Sequence, residues 1–424
     1  MLKLVLGASG SGKTTLLYAR IRARAEAGKR SILLVPEQFT SSTEARIYRE
    51  LGDALSGMVE SYSFTSLAEH ILAVEGGAAV QTLTDAGRAV LVRRALEELQ
   101  DNVHYYYRHR RSAAFCQMAA ETIDELKSAG LSGQQLQELA RDCGSESAKL
   151  GELALIFQGY ESLLAGTGMD PADRLELAAD RLEAALARDE LPDFLREREV
   201  FIDEFDTFNA PKKRLMGAML AALPAVTVAL CEDGAPMQPG DLELFSGAKQ
   251  VAAQLRQLAR KNGAQVAAPE LLRRDLRHKD APGLAALTEL LETGSCTSPE
   301  SAPELRLFAA ASREEEARCA AAAIRRLMRQ GVRCGKIAVV CRDISLYRAA
   351  VRYEFRMAEI PLYCDEPTTP EFSAPATAVR ALLALLQGAD MTEQLTVLAK
   401  TGLCDLTEPE VCALENYAYT WSPD

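Results

Sequence analysis

The chain has 424 residues, 48% of them hydrophobic and 25% charged, which is the balance of a globular protein with two or more domains. No run of about 18 apolar residues occurs, so no membrane span is predicted, and the chain enters a strand too early to hold a signal peptide. The net charge of −12 excludes attraction of nucleic acid by a basic field over the whole protein. Ten cysteines without metal-ligand spacing predict reduced thiols and a cytoplasmic location.

A phosphate-binding loop is predicted near the N-terminus. Residues 2–6 form an apolar run typical of a buried parallel strand, and residues 15–27 predict a helix that ends at Gly28. The segment between them matches G-x-x-x-x-G-K-[ST] at every specified position, with the residues Gly7, Ala8, Ser9, Gly10, Ser11, Gly12, Lys13 and Thr14. In such a loop Lys13 binds the β- and γ-phosphates of ATP, and Thr14 binds Mg²⁺. A chance glycine-rich turn is the alternative, and the strand in front of the loop argues against it.

Two further strands are predicted, over residues 31–35 and 59–62. The polar segment 36–40 lies at the carboxyl end of the first of these strands, where open α/β sheets bind their ligands. Residues 1–62 also carry 9 Lys/Arg against 6 Asp/Glu, which favours phosphate or DNA, although a solvated helix face explains it equally well. On the first interpretation Gln38 and Thr40 are candidate DNA-contacting residues.

Helical patterns dominate after the third strand. Ser66 and Glu69 predict a capping box at the start of a helix. Further amphipathic helices are predicted over residues 86–99, 113–129 and 172–187. Because these helices interrupt the parallel α/β order, residues 63–197 are predicted to be a helical insertion in the first lobe.

A basic and aromatic segment, residues 103–111, lies inside this insertion. Arginines that pair with phosphates beside aromatic rings that stack on bases are typical of single-strand binding. The candidate DNA-contacting residues here are Tyr106, Arg108, Arg110 and Arg111. A loop between two helices, with its tyrosines packed on the core and its arginines solvated, is the alternative, and both stay open.

The sheet resumes at residues 200–205, an apolar strand that ends in Asp203 and Glu204. Downstream of a P-loop, this pattern is typical of a Walker B segment, in which Asp203 holds Mg²⁺ and Glu204 polarises the water that attacks the γ-phosphate. Acids that merely cap a strand end are the alternative. Another strand is predicted over residues 224–230.

A second lobe is predicted after a linker. Residues 261–303 contain several proline and glycine breakers, and residues 304–424 then open with a strand, a helix capped by Ser312 and a second strand, over 305–310, 312–330 and 336–341. This lobe has no glycine loop, and three glutamates at its first turn would repel a phosphate. Arg342 follows the second strand, where it could reach a γ-phosphate held by the first lobe or simply be exposed.

This order predicts an α/β fold, and it resembles the two RecA-like P-loop lobes of a superfamily 1 helicase. The first lobe comprises residues 1–62 and 198–260 and carries the insertion, and the second lobe is incomplete. Particular segments resemble the AddB family, the B subunits of AddAB-type ATP-dependent helicase/nucleases: Gly-Ala-Ser-Gly-Ser-Gly-Lys-Thr at 7–14, Val-Pro-Glu-Gln-Phe-Thr at 35–40, Lys-Ile-Ala-Val-Val-Cys-Arg-Asp at 336–343 and Ile-Pro-Leu-Tyr-Cys-Asp at 360–365. The resemblance spans essentially the whole chain.

The resemblance implies a heterodimer with an A subunit that processes single- and double-stranded DNA ends for homologous recombination and recognises a hotspot sequence. It also implies a 5′-to-3′ exonuclease domain and a four-cysteine 4Fe–4S cluster in a longer chain, beyond Asp424. The chain by itself is therefore expected to bind nucleotide but neither to unwind nor to cut DNA.

Three functions remain open at this stage. Glu204 favours a DNA-stimulated ATPase motor. A non-hydrolysing module that binds single-stranded DNA, with ATP as a regulatory ligand, is favoured by residues 231–234, which are Cys-Glu-Asp-Gly where an active helicase has Gly-Asp-x-x-Gln. A small-molecule P-loop kinase fits poorly, because it needs a lid and an acceptor site.

Overall fold

The computed structural model describes residues 1–77, 81–109, 111–235, 244–364 and 370–421. The predicted site residue Arg110 and the motif residue Asp365 lie outside the described residues. The chain divides into two compact units, Met1–Arg306 and Leu307–Asp424.

The first unit is organised around a six-stranded sheet in which every paired strand is parallel. The strand order is β3-β2-β4-β5-β1-β6. The strands are β1 Leu2–Gly7, β2 Ser31–Leu34, β3 Val59–Tyr62, β4 Glu199–Ile202, β5 Ala225–Cys231 and β6 Glu270–Leu272. The parallel α/β sheet is confirmed, and the apolar runs that predicted β1 to β5 coincide with these strands within a few residues.

Twelve helices accompany the sheet in the described part of this unit. They are α1 Lys13–Glu26, α2 Thr40–Leu51, α3 Asp53–Ser56, α4 Phe64–Glu75, α5 Asp85–Glu98, α6 Ala113–Ser128, α7 Gly133–Ala140, α8 Ser147–Leu164, α9 Pro171–Ala187, α10 Ala210–Ala222, α11 Ser246–Lys261 and α12 Pro282–Thr293. Alternate strand residues enter two cores, one shared with α1 and α2 and the other with α4, α9, α10 and α11. Because both faces are covered, the strands are almost continuously apolar.

The helices between β3 and β4 form a separate core. Residues of α5, α6, α7 and α8 pack together around Phe157 and Tyr160, apart from the cores that cover the sheet. Beside this core, the buried Lys127 ammonium contacts the carboxylates of Asp170 at 2.8 Å and Asp173 at 2.9 Å. The Tyr160 hydroxyl donates to the other Asp170 oxygen at 2.6 Å.

The start of α4 differs from the prediction. The capping box is formed by Ser63 and Ser66, so the helix begins at Phe64, three residues earlier than the predicted box of Ser66 and Glu69. Ser63 has extended backbone angles and its hydroxyl accepts the Ser66 N–H, which satisfies an otherwise free helical donor. Glu69 forms an ion pair with Arg174 of α9 instead.

The segment 261–303, which we predict as a linker, contributes β6 to the sheet by pairing with β1.

The second unit contains α13 Arg313–Arg329, α14 Ile344–Met357, α15 Ala374–Leu386, α16 Met391–Lys400 and α17 Glu408–Trp421. Its described residues contain no strand, so the strands predicted over 305–310 and 336–341 are not formed there. Leu307 and Val340 are accordingly exposed, because neither segment pairs with a neighbouring strand. None of the helices in the described residues is both long enough and apolar enough to cross a membrane.

Candidate nucleotide-binding site

The glycine loop turns sharply between β1 and α1. Gly10 and Gly12 have φ angles of +82° and +91°, in the left-handed region that favours glycine. A side chain at Gly7 would come within 2.8 Å of the Leu272 carbonyl oxygen, so this position also requires glycine. The loop thus delivers the chain directly into the N-terminus of α1, where backbone N–H groups and the helix dipole favour an anion.

Lys13 is the first residue of α1, and its side chain turns back over the loop. The ammonium donates to the carbonyl oxygens of Gly7 at 2.7 Å and Ala8 at 2.8 Å. Burial lowers the pKa of Lys13, and the nearby Asp203 carboxylate acts in the opposite direction. The buried Ser11 hydroxyl has no hydrogen-bond partner within the described part of the chain. An ammonium at the loop and an unsatisfied buried hydroxyl fit a phosphate ligand.

Thr14 and Asp203 meet at the carboxyl edge of the sheet. Strand β4 is paired with β2, and the Asp203 N–H donates to the Leu34 carbonyl at 3.1 Å, which fixes the aspartate just beyond both strands. The Thr14 side chain lies beside its carboxylate and favours the charged form. Burial raises the pKa of Asp203, while the neighbouring Thr14 side chain acts in the opposite direction.

These two oxygen groups fit Mg²⁺, which commonly takes one or two protein ligands and completes its octahedron with phosphate and water. The described residues contain no group of three or more His, Cys, Asp or Glu side chains that could hold a metal ion. A Mg²⁺ ion here would therefore depend on the nucleotide for further ligands.

Glu204 is exposed next to this pair and has an unusual backbone conformation. Its φ is +64°, in the left-handed region that non-glycine residues seldom adopt, and its N–H donates to the Asp203 carboxylate at 3.0 Å. Such strain is found at functional sites. Partial burial and the Asp203 carboxylate raise the pKa of Glu204, whereas Arg46 lowers it. The Arg46 guanidinium itself lies 4.8 Å from the centre of the Tyr18 ring.

A basic segment that follows β6 also lies on the glycine loop, and we did not predict it from the sequence. The Leu276 N–H donates to the Gly10 carbonyl at 3.0 Å, and the Arg277 guanidinium donates to the Ser9 hydroxyl at 3.1 Å. The available signal was an apolar pair followed by a cluster of bases, Leu271-Leu272-Arg273-Arg274-Asp275-Leu276-Arg277-His278. This segment brings an arginine of the first unit to the predicted phosphate site.

The other predicted site residues are spread over several elements. Gln38 is exposed in a short 3₁₀ turn after β2, and the Thr40 hydroxyl donates to the Glu37 carbonyl. Arg342 belongs to the second unit, where it is exposed.

In the basic and aromatic segment, the Glu152 carboxylate accepts the backbone N–H groups of His104, Tyr105 and Tyr106. The Tyr106 ring packs against Phe115, with ring centres 5.2 Å apart. Arg108 and Arg111 are exposed. Packing therefore accounts for Tyr106, while DNA contact by this segment stays a prediction.

The parallel sheet, the glycine loop after its first strand and the acid beyond β4 define the class of the first unit as a P-loop α/β fold. A family model described as "ADDB, N-terminal" matches residues 4–288. Over 98% of its length the chain is 32% identical to the B subunit of the ATP-dependent helicase/deoxyribonuclease of Desulforudis audaxviator. It is 31% identical over the same share to the proteins of the same name from Moorella thermoacetica and Symbiobacterium thermophilum. The chain belongs to the AddB family. It spans only 36–37% of the length of these relatives.

Proposed function

We propose that this chain is the ATP-binding, helicase-like part of the AddB-type component of a heterodimeric ATP-dependent helicase/exonuclease. The observation that carries the proposal is the contact between Thr14 and the Asp203 carboxylate, beside Lys13. This contact joins the two groups that a Mg²⁺–nucleotide site needs, from segments far apart in the sequence. The names of the relatives supply the ATP dependence and the action on DNA.

The roles of the site residues follow from their positions. Lys13 and the loop N–H groups would bind the phosphates, and Thr14 and Asp203 would hold a Mg²⁺ ion, which would supply positive charge to the phosphates. Arg277, which contacts the loop through Ser9, donates to the outermost phosphate. Glu204 orients the attacking water, and Arg342 remains our second catalytic candidate.

The wider assignment rests on family membership. We propose that the two units correspond to RecA-like lobes of the superfamily 1 type, with the helices after β3 as an insertion. The partner is the A subunit, and the substrates are single- and double-stranded DNA ends processed in the cytoplasm for recombination, with recognition of a hotspot sequence. The proposed contacts to DNA are Gln38, Thr40, Tyr106, Arg108, Arg110 and Arg111. We propose that the nuclease domain and a 4Fe–4S cluster lie in the part of such proteins that this chain does not cover.

A non-hydrolysing module that binds single-stranded DNA is the alternative, and one observation favours it. The residues after β5 occupy the place of an ATP-to-DNA coupling motif, and Asp233 there forms an ion pair with Lys249 of α11 at 3.1 Å. The adjoining Glu232 is 5% exposed, so its carboxylate is also held within the fold. Asp233 is therefore already paired within the fold.

Steady-state ATP hydrolysis by the whole chain, measured with and without single-stranded DNA, separates the two functions. A motor predicts hydrolysis that DNA accelerates. The alternative predicts nucleotide and DNA binding with hydrolysis at the background rate in both conditions. A chain that binds neither ATP nor DNA would contradict the proposed function altogether.

A further inference from the structure

One stretch of the second unit, residues 317–358, is basic, although acidic residues stand on both sides of it at Glu314–Glu316 and Glu359. Residues 317–358 contain ten Lys or Arg and two acidic residues, a net charge of +8, within a chain of net charge −12. Both acids are used inside the unit. Glu354 forms an ion pair with Arg318 at 3.0 Å, and Asp343 caps α14 by accepting the Ser345 N–H at 2.9 Å. The surrounding bases therefore form a local field of a kind that attracts phosphates.

An open cavity of about 630 Å³ lies at the C-terminal end of α14, within this basic region. Arg352 and Arg356 line one side of it, and their four-residue spacing places them on the same helix face. Both arginines are exposed, and neither has an ion-pair partner among the residues that the structure describes. Glu359 also lines the cavity, and it is the one acid among the lining residues.

The other side of the cavity is formed by the extended segment 360–364. Its Ile360 is buried against α13 and α14, which anchors the segment, whereas the Tyr363 ring is 87% exposed. Because this ring is already exposed, a base could stack on it without first unpacking it from the hydrophobic core. Exposed rings beside unpaired arginines are the combination by which proteins bind single-stranded nucleic acid.

We propose that this cavity is a binding surface for single-stranded DNA, in which Arg352 and Arg356 contact phosphates and Tyr363 stacks on a base. The inference rests on the proposed action on DNA and adds a surface that lies outside the DNA-contacting residues proposed above. Single-stranded DNA is favoured over an acidic protein segment because stacking uses the exposed ring, and over duplex DNA because paired bases do not present their faces.

Binding of a fluorescein-labelled oligothymidine to the whole chain, followed by anisotropy over a salt series, tests the inference. Removing both charges with Arg352→Gln and Arg356→Gln should lower the slope of log K against log salt by about 1.4, or about 0.7 for each phosphate contact. At about 0.1 M salt this corresponds to roughly 20-fold weaker binding. Tyr363→Ala should weaken binding about tenfold, and Tyr363→Phe should not, because stacking needs only the ring.

The matched control removes two charges elsewhere in the unit, with Arg313→Gln and Lys400→Gln, and should leave the slope nearly unchanged. Unchanged affinity in the Arg352→Gln/Arg356→Gln variant would overturn the inference, as would equal competition by duplex DNA or by polyglutamate. ATP binding by the wild type is measured on the same samples. Failure of the wild type to bind ATP would thus count against the nucleotide site, while loss of DNA binding confined to the cavity variants would still support this surface.

Discussion

Replacing Glu204 by glutamine should leave MgATP binding intact and lower the rate of ATP hydrolysis about a hundredfold or more. The amide matches the carboxylate in size, but it cannot accept a proton from the attacking water. Glu204 is exposed beside the buried Asp203, and its left-handed backbone holds it in that place. Steady-state phosphate release, with ATP affinity measured on the same samples, separates a loss of chemistry from a loss of binding.

Asp206→Asn provides the matched control for this prediction. Asp206 is an exposed acid two residues further along the same loop, so its neutralisation changes the charge equally without touching the predicted base. We expect it to hydrolyse ATP at the wild-type rate. Equal rates for the wild type and Glu204→Gln would show that Glu204 does not act on the water.

Lys127→Met should lower the free energy of unfolding of the first unit by about 3–5 kcal/mol. The methionine keeps much of the volume but leaves Asp170, which is 1% exposed, without its counter-charge and close to Asp173. Burial lowers the pKa of Lys127, but its hydrogen bonds to these carboxylates raise the pKa by more, so the net shift is upward. The stabilisation is therefore complete below the ordinary lysine pKa and is lost only as the pH rises through the raised value.

Urea denaturation followed by circular dichroism measures this loss. Arg93→Met is the control, because Arg93 forms an exposed pair with Glu97 one turn away on α5. Such surface pairs contribute about 0–1 kcal/mol. Similar midpoints for the two variants would mean that the Lys127 cluster does not stabilise the fold.

Local chemistry explains why much of the first unit could be predicted from the sequence. The strands before the glycine loop and before Asp203 are apolar runs bounded by polar residues. Such a run is sufficient to predict a parallel strand that is buried on both faces. The glycine spacing likewise indicated the loop in which Gly10 and Gly12 have left-handed angles. The meeting of Thr14 with Asp203 then follows from the rule that parallel strands end at one edge of the sheet.

Non-local contacts explain what the sequence did not indicate. Strand β6 has only three residues, and it pairs with β1, which is far away in the sequence. Proline and glycine residues on both sides of β6 made its short apolar pattern hard to recognise as a strand. For the same reason Arg277 could not be connected with Ser9, which lies 268 residues earlier. At α4, Ser63 and Ser66 both suit a helix start, and the helix uses Ser63, which directly follows the last residue of β3. The runs at 305–310 and 336–341 have strand propensity but no pairing strand in the described residues.

The measurement that most directly tests the central claim is a calorimetric titration of the chain with MgATP, compared with Lys13→Ala. Lys13 holds the only ammonium that contacts the loop carbonyls of Gly7 and Ala8 in the described residues, so its removal should abolish measurable binding. The melting temperature of the nucleotide-free variant should change little, because Lys13 anchors no part of the core. One molecule of ATP bound by the wild type and none by the variant is the predicted result. Equal affinity in both proteins would contradict the assignment of this loop as the nucleotide site.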